Sequence, residues 1–334
     1  MGELGGALSE VVAVTGGTGF IGSHLVHRLV ADGVRVRALA RRPAAELPEP
    51  LRHPNVTLVS GDVTDALAVR ALVAGARRVF HLAGCARAWT PDPGEYAQVN
   101  VVGTEHVCRE SVAAGVEVLL HTSTNLVERA GSIDAEKPML TEYQRTKREA
   151  EKLVERFRKQ SGLSAVVVRP ARVYGPGPLT QANSATLMMA QYRRGTFRVC
   201  LADGGARANW VFVKDVVAGM VAAADARHNG GVFTLAGENA SVATLLGILG
   251  EFTGRRRLVF PISLGTARVV AALSTQSARL GATPIITRDW VDLLARDWPS
   301  FVDPATRALG YRPRSLADGV RETVAWLESG SSPW

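Results

Sequence analysis

The 334-residue chain predicts an α/β fold, a doubly wound parallel sheet with a smaller, mostly helical C-terminal domain. Three observations predict it. Short apolar runs alternate with stretches of helical periodicity through the first half. A glycine-rich turn joins the first run to the first helical stretch. The alternation then stops near Gly175-Pro176-Gly177-Pro178, a break in the chain's regular pattern.

Val11–Val14 is a continuous apolar run ending in Thr15, as a strand buried on both faces requires. Gly16, Gly19 and Gly22 follow at every third residue, and Ile21, Leu25, Val26 and Leu29 carry a helical period that Gly33 ends. Such a turn offers backbone N–H groups and the positive end of a helix to a pyrophosphate. Gly16, Thr18, Gly19, Phe20, Ile21 and Gly22 are therefore the candidate dinucleotide contacts, although the spacing is Gly-x-x-Gly-x-x-Gly and not the commoner Gly-x-Gly-x-x-Gly. A tight turn without ligand is the competing reading.

The second strand, Val34–Ala40, ends at Arg41-Arg42 and carries no acid at its tip. A carboxylate there would hold the ribose hydroxyls of NAD and repel a 2′-phosphate, whereas a guanidinium grips one with a fork of N–H donors. NADP(H) is accordingly expected over NAD(H), with Arg41 as first contact and Arg42 as second, against the plainer reading of a solvated basic loop.

A fifth strand, Val118–Leu120, runs through His121 into Thr122-Ser123-Thr124 and so ends in three hydroxyls. Ligands of open parallel sheets lie at the carboxyl ends of strands, so a hydroxyl here can bind a substrate carbonyl. Thr124 is the first choice and Ser123 the second. Tyr143 and Lys147 lie four apart at the start of a helix running to about Ser161, and so share its face. The ammonium is expected to lower the tyrosine pKa from about 10 and fit the phenol for proton transfer.

The order of these motifs resembles the extended short-chain dehydrogenase/reductase family, of NAD-dependent epimerase/dehydratase type. The resemblance also takes in Gly61-Asp62-Val63-Thr64-Asp65, Phe80-His81-Leu82-Ala83-Gly84, Val99-Asn100-Val101-Val102-Gly103-Thr104 and Arg169–Gly177, and covers nearly the whole chain. It implies a Rossmann-type fold in which Asp62 and Val63 contact the adenine. Leu82, Ala83, Gly84 and Thr122 would line the cofactor, and Pro170 and Val173 would flank the nicotinamide. Tyr143 would be the acid/base, and Lys147 would also bind the nicotinamide ribose. Asn100 would brace the central helix. Proteins of this kind usually pair through two helices flanking the sheet, so a homodimer is the inherited expectation.

Three departures steer the substrate. Asn125-Leu126 replaces the acidic pair that follows the hydroxyl in nucleotide-sugar dehydratases. Ala208-Asn209-Trp210 stands where nucleotide-sugar enzymes carry Arg-Asp-Phe, with Arg207 one residue out of register. The stretch from Thr124 to Tyr143 is short and lacks Val-Tyr-Gly, so the substrate rim is expected to be trimmed. The chain is most similar in these respects to the dihydroflavonol reductase and 3β-hydroxysteroid dehydrogenase-like branch.

The second half supplies the substrate contacts. Residues 10–175 are assigned to the dinucleotide-binding domain, with 209–236 returning to it, and residues 176–208 and 237–330 to the substrate domain. Helices are expected over Ala182–Arg194, Lys214–Ala226, Ser241–Gly254, Ser263–Leu280 and Leu316–Glu328, with strands at Trp210–Val213 and Val232–Leu235. Arg87, Trp89, Tyr96, Met188, Tyr192 and Trp210 are the candidate substrate wall, and their aromatic content points to a cyclic or aromatic substrate.

Composition narrows the class. Apolar residues make up 46%, yet no uncharged run approaches the length of a membrane span, and residues 1–10 are too short and polar for a signal peptide. Cys85, Cys108 and Cys200 are scattered, so neither a disulfide nor a zinc site is expected, nor any other metal; a reducing cytoplasm is the implied compartment. The net charge of +8 is dispersed among acids, which argues for a solvated basic surface and against a nucleic-acid partner. The expected activity is NADPH-dependent reduction of a ketone or aldehyde on a small substrate. A sugar epimerase with retained cofactor and a non-catalytic NAD(P)-binding sensor are the alternatives.

Overall fold

The computed structural model describes residues 10–128, 141–278, 283–284 and 286–334. The first half alternates strand and helix: β1 (Val11–Thr15), α1 (Phe20–Ala31), β2 (Arg35–Ala40), β3 (Val56–Ser60), α2 (Ala66–Val73), β4 (Arg78–His81), α3 (Gly94–Ala97), α4 (Gly103–Ala113), β5 (Val118–Thr122), α5 (Glu142–Ser161) and β6 (Ala165–Pro170). The second half holds β7 (Arg172–Tyr174), α6 (Ser184–Arg194), β8 (Val199–Leu201), β9 (Arg207–Phe212), α7 (Val213–Ala223), β10 (Val232–Leu235), β11 (Glu238–Ser241), α8 (Val242–Phe252), β12 (Phe260–Ile262), α9 (Leu264–Ala278), α10 (Arg288–Leu294), α11 (Asp303–Leu309) and α12 (Leu316–Ser329).

Seven strands form one parallel sheet in the order β10-β6-β5-β4-β1-β2-β3. The order reverses beside β1, which opens a crevice at the carboxyl ends of β1 and β4. Successive side chains point to opposite faces, and both faces are apolar. Val12, Val14, Phe80, Leu120, Val166 and Val168 pack with Leu25 of α1 and Met220 of α7. Ala13, Val79, Leu119 and Val167 pack on the other face with Val69 and Leu72 of α2, Val107 of α4 and Val154 of α5. The unbroken apolar runs of the sequence are therefore explained by a sheet covered on both sides.

Of residues 209–236, expected to rejoin this sheet, β10 does so at its edge beside β6. The β9 strand instead pairs with β7 and β11 in a separate three-stranded sheet. The second half is thus less purely helical than its sequence suggests. Its own core gathers Tyr174, Met189, Tyr192, Trp210, Phe212, Leu245 and Val320. The expected trimmed rim before Tyr143 falls largely on residues 129–140, outside the described residues, as does Gly281 after the predicted helix that α9 fulfils.

The start of α5 is fixed by reciprocal hydrogen bonds. Gln144 N donates to Thr141 Oγ1 at 3.2 Å, and Thr141 N donates to Gln144 Oε1 at 3.1 Å. Gln144 Nε2 also donates to Leu126 O at 2.8 Å, which ties this helix end to the segment leaving β5. Tyr143, between Thr141 and Gln144, is held against the carboxyl end of β5 by that tie.

Candidate active site

The glycine turn forms a cradle by close backbone packing. Gly16 has φ +70°, and a Cβ there would lie 2.5 Å from Ala83 N. A Cβ on Gly22 would lie 2.1 Å from Gly16 O, so α1 can begin beside the turn only if that side chain is absent. Gly19 precedes α1 and supplies no side-chain cap, which leaves the first N–H groups of the helix to a ligand. Phe20 is buried, and its ring lies beside Gly177, where a Cβ would stand 2.8 Å from it. A cavity of about 270 Å³ is lined by Gly16, Thr18, Gly19, Arg41, Asp62, Val63, Leu82, Ala83 and Gly84, so residues from four separate motifs meet there. Ile21 and Gly22 belong to the helix behind it.

Asp62 Oδ1 accepts from Thr64 N at 3.0 Å and Thr64 Oγ1 at 2.9 Å, and Arg41 Nη1 lies 3.4 Å from Asp62 Oδ2. Burial raises the carboxyl pKa, but these hydrogen bonds and the guanidinium outweigh it, so the net shift is downward. The Arg41 side chain remains 70% exposed. A second cavity of about 350 Å³ lies between Arg41, Arg42 and Ser60.

The hydroxyl, tyrosine and lysine converge at the end of β5. Thr124 is buried; its hydroxyl accepts from Leu126 N at 3.3 Å and is within hydrogen-bonding reach of the Tyr143 phenol. Ser123 and Thr122 are also buried, but neither hydroxyl has a partner among the described residues. Lys147 is buried, and its Nζ donates to Thr122 O at 2.5 Å. A Cβ on Gly84 would lie 3.9 Å from that Nζ, which sets the ammonium beside the cofactor cavity.

The charges differ from the sequence expectation. Burial pushes Tyr143 up to about 12, and the Thr124 hydrogen bond only partly opposes it. Burial brings Lys147 down to about 8, with Glu151 resisting. In the protein alone, Lys147 therefore does not pull the phenol toward neutrality. Desolvation dominates because both groups are packed between β5 and α5, far from bulk water.

Two polar residues give this site a backing that the sequence reading did not single out. His81, at the end of β4, lies 2.7 Å through Nδ1 from Thr15 Oγ1 and 2.9 Å through Nε2 from Thr104 Oγ1. Burial, with Lys147 adding repulsion, drops its pKa to about 3, so it is a neutral strut. Asn100 Oδ1 accepts from Cys85 N at 2.8 Å, and its Nδ2 donates to Thr146 Oγ1 at 3.0 Å. It thereby fastens the loop after β4 to the helical turn between Tyr143 and Lys147. The motifs containing His81 and Asn100 were visible in the sequence, but their hydrogen bonds span up to 66 positions and had no local signature.

The expected substrate wall divides. Arg87 lines the cofactor cavity and is ion-paired with Glu95. Tyr96 is buried nearby, its hydroxyl donating to Arg87 O at 2.7 Å, and Trp89 is half-buried. Tyr192 and Trp210 instead belong to the second core: Tyr192 OH accepts from Arg257 N at 3.1 Å, and Trp210 Nε1 donates to Ala240 O at 2.9 Å. Met188 packs at the margin of that core. Their apolar bulk closes the small domain, which corrects their assignment to an open wall. Pro170 ends β6 and Val173 lies in β7.

Cys85, Cys108 and Cys200 are unbonded thiols. No helix among the described residues is long and apolar enough to cross a membrane.

A dinucleotide cradle beside a strand-end hydroxyl, a tyrosine and a lysine defines an NAD(P)-dependent enzyme of the short-chain dehydrogenase/reductase type. The NAD dependent epimerase/dehydratase family model matches residues 12–236, and the chain belongs to that family. It is 26% identical to a putative dihydroflavonol 4-reductase of Synechocystis sp., over 97% of this chain and 96% of that protein. It is 30% identical to the 4-hydroxy-2-methyl-3-oxo-4-farnesyl-3,4-dihydroquinoline-1-oxide ketoreductase of Stigmatella aurantiaca, over 90% of this chain and 91% of that one. Among solved structures it is similar to MoeE5 in complex with UDP-glucuronic acid and NAD, at 28% identity and a TM-score of 0.75, covering 97% of this chain and all of the other.

Proposed function

We propose that the protein reduces a ketone or aldehyde on a small, cyclic or aromatic substrate, using NADPH. The observation that carries this reading is the convergence of Thr124, Tyr143 and Lys147 beside Gly84 of the cofactor cavity. The nicotinamide cofactor, when bound, supplies the hydride that reduces the carbonyl carbon. Thr124 and Tyr143 donate hydrogen bonds to the carbonyl oxygen and so stabilise the negative charge it acquires. Tyr143 then transfers its proton to that oxygen, giving the alcohol. The pKa of about 12 keeps the phenol protonated throughout the neutral range, which suits a proton donor. The Lys147 cation stabilises the phenolate left behind and is restored with it when solvent returns the proton.

Arg41 and Arg42, which border the second cavity, support NADP(H) over NAD(H). The resemblance adds a homodimer, and the unpaired, scattered cysteines agree with a cytoplasmic setting. A single titration tests the main reading: purified protein is mixed with NADPH or NADH, with and without cyclic and aromatic ketones, and absorbance is followed. Ketone-dependent oxidation of NADPH is the expected result. The similarity to MoeE5 favours a second reading, a sugar epimerase. Cofactor retained through purification, with no net oxidation, would select it.

A further inference from the structure

Arg172 opens β7 at the point where the chain leaves the large sheet. Ala171 N still donates to Leu235 O of β10 at 3.2 Å, while Arg172 is already registered against Trp210 of β9. This seam follows the carboxyl end of β6, whose Val168 O accepts from Ser123 N at 2.7 Å. Arg172 is thus four residues from a backbone contact with the catalytic strand end.

Its guanidinium carbon lies 5.0 Å from the centre of the Trp210 ring. A cation over an aromatic face is held through its own face, and its in-plane N–H donors remain free. No carboxylate lies within 4.0 Å of it, and it makes no hydrogen bond among the described residues. The neighbouring arginines differ: Arg169 pairs with Glu151 and Glu128, and Arg207 with Asp297. Arg172 is half-buried, and burial alone lowers its pKa to about 10. Burying a guanidinium without a counter-ion is costly, and a ligand anion would offset that cost.

We propose that Arg172 binds a carboxylate on the substrate, so that the preferred carbonyl compounds are oxo acids. One guanidinium offers two parallel donors and one charge, which match a carboxylate more closely than a phosphate dianion. The proposal rests on the reductase reading for the chemistry, but its binding site is separable from it.

The test pairs 4-acetylbenzoate with its neutral isostere 4-acetylbenzamide, measured with NADPH on wild type, Arg172→Met and Arg172→Lys. The expected result is a KM for the acid about 100-fold higher in Arg172→Met, with kcat nearly unchanged and the amide unaffected. Arg172→Lys should recover part of the loss. Calorimetric titration with benzoate and benzamide reads the same site without turnover: benzoate should bind wild type more tightly, and that preference should vanish in Arg172→Met. The melting temperature of Arg172→Met should not fall, because no ion pair is lost. Equal losses on acid and amide, or a benzoate preference that survives the substitution, would overturn the proposal. Arg172-dependent benzoate binding without oxidation of any ketone would leave the site standing and remove the reductase reading. Oxidation of the amide with no preference for the acid would do the reverse.

Discussion

Lys147 Nζ donates to the carbonyl oxygen of Thr122 at 2.5 Å, across the gap between α5 and β5. The bond holds a buried cation at the strand end that also carries Thr124. It costs stability while the charge is present, since burial lowers the ammonium pKa from 10.5 to about 8. Between those values the unfolded chain holds a proton that the folded protein has released, so stability should rise with pH from about 8 to 10, by on the order of 3 kcal/mol at most. Reduction should weaken over the same interval as the cation disappears. Thermal melts and kcat profiles across pH 7–10 should therefore run in opposite directions, and Lys147→Met should flatten both. Parallel profiles in the wild type would refute this account.

Tyr143→Phe should lower kcat by about 1,000-fold or more while leaving NADPH affinity within a few-fold, because only the proton donor is lost. Thr124→Ala should cost about 10- to 100-fold in kcat, and Ser123→Ala far less, since Thr124 and not Ser123 lies in hydrogen-bonding reach of the phenol. A larger loss from Ser123→Ala would reverse the choice of hydroxyl.

Arg41→Ala should weaken NADPH binding by about 10- to 100-fold and NADH binding little, as expected for one charge-assisted contact to a 2′-phosphate. Fluorescence titrations with both cofactors decide it. Equal weakening of the two would place Arg41 at the shared part of the dinucleotide.

His24 is buried in α1, with Nε2 2.8 Å from Pro176 O. A carbonyl only accepts, so the neutral ring carries its proton on that nitrogen. Burial lowers its pKa from 6.5 to about 4. Below pH 6.5 the unfolded chain takes up a proton that the folded protein refuses, so stability should fall as pH drops toward 4, by on the order of 3 kcal/mol from this residue. His24→Gln, which keeps a donor for Pro176 O, should reduce the slope of melting temperature against pH in that window. An unchanged slope would assign the acid sensitivity elsewhere, for instance to buried His81.

The sequence by itself determined the large sheet, the glycine cradle and the Tyr143–Lys147 pair. Each of these is written in short-range terms: apolar runs of four or five residues, glycines at a fixed spacing, and two side chains one helical turn apart. Only the tertiary structure decided the rest. It took β9 out of the large sheet and sank Trp210 and Tyr192 into a second core, because aromatic residues at such spacings serve a wall or a core equally well until packing chooses. It raised the Tyr143 pKa where the sequence had suggested lowering, because desolvation depends on all the chain folded around a group and not on the charge four residues away. The same dependence on distant neighbours leaves Arg172 without a counter-ion beside the strand that carries Thr124, a relationship no local pattern encodes.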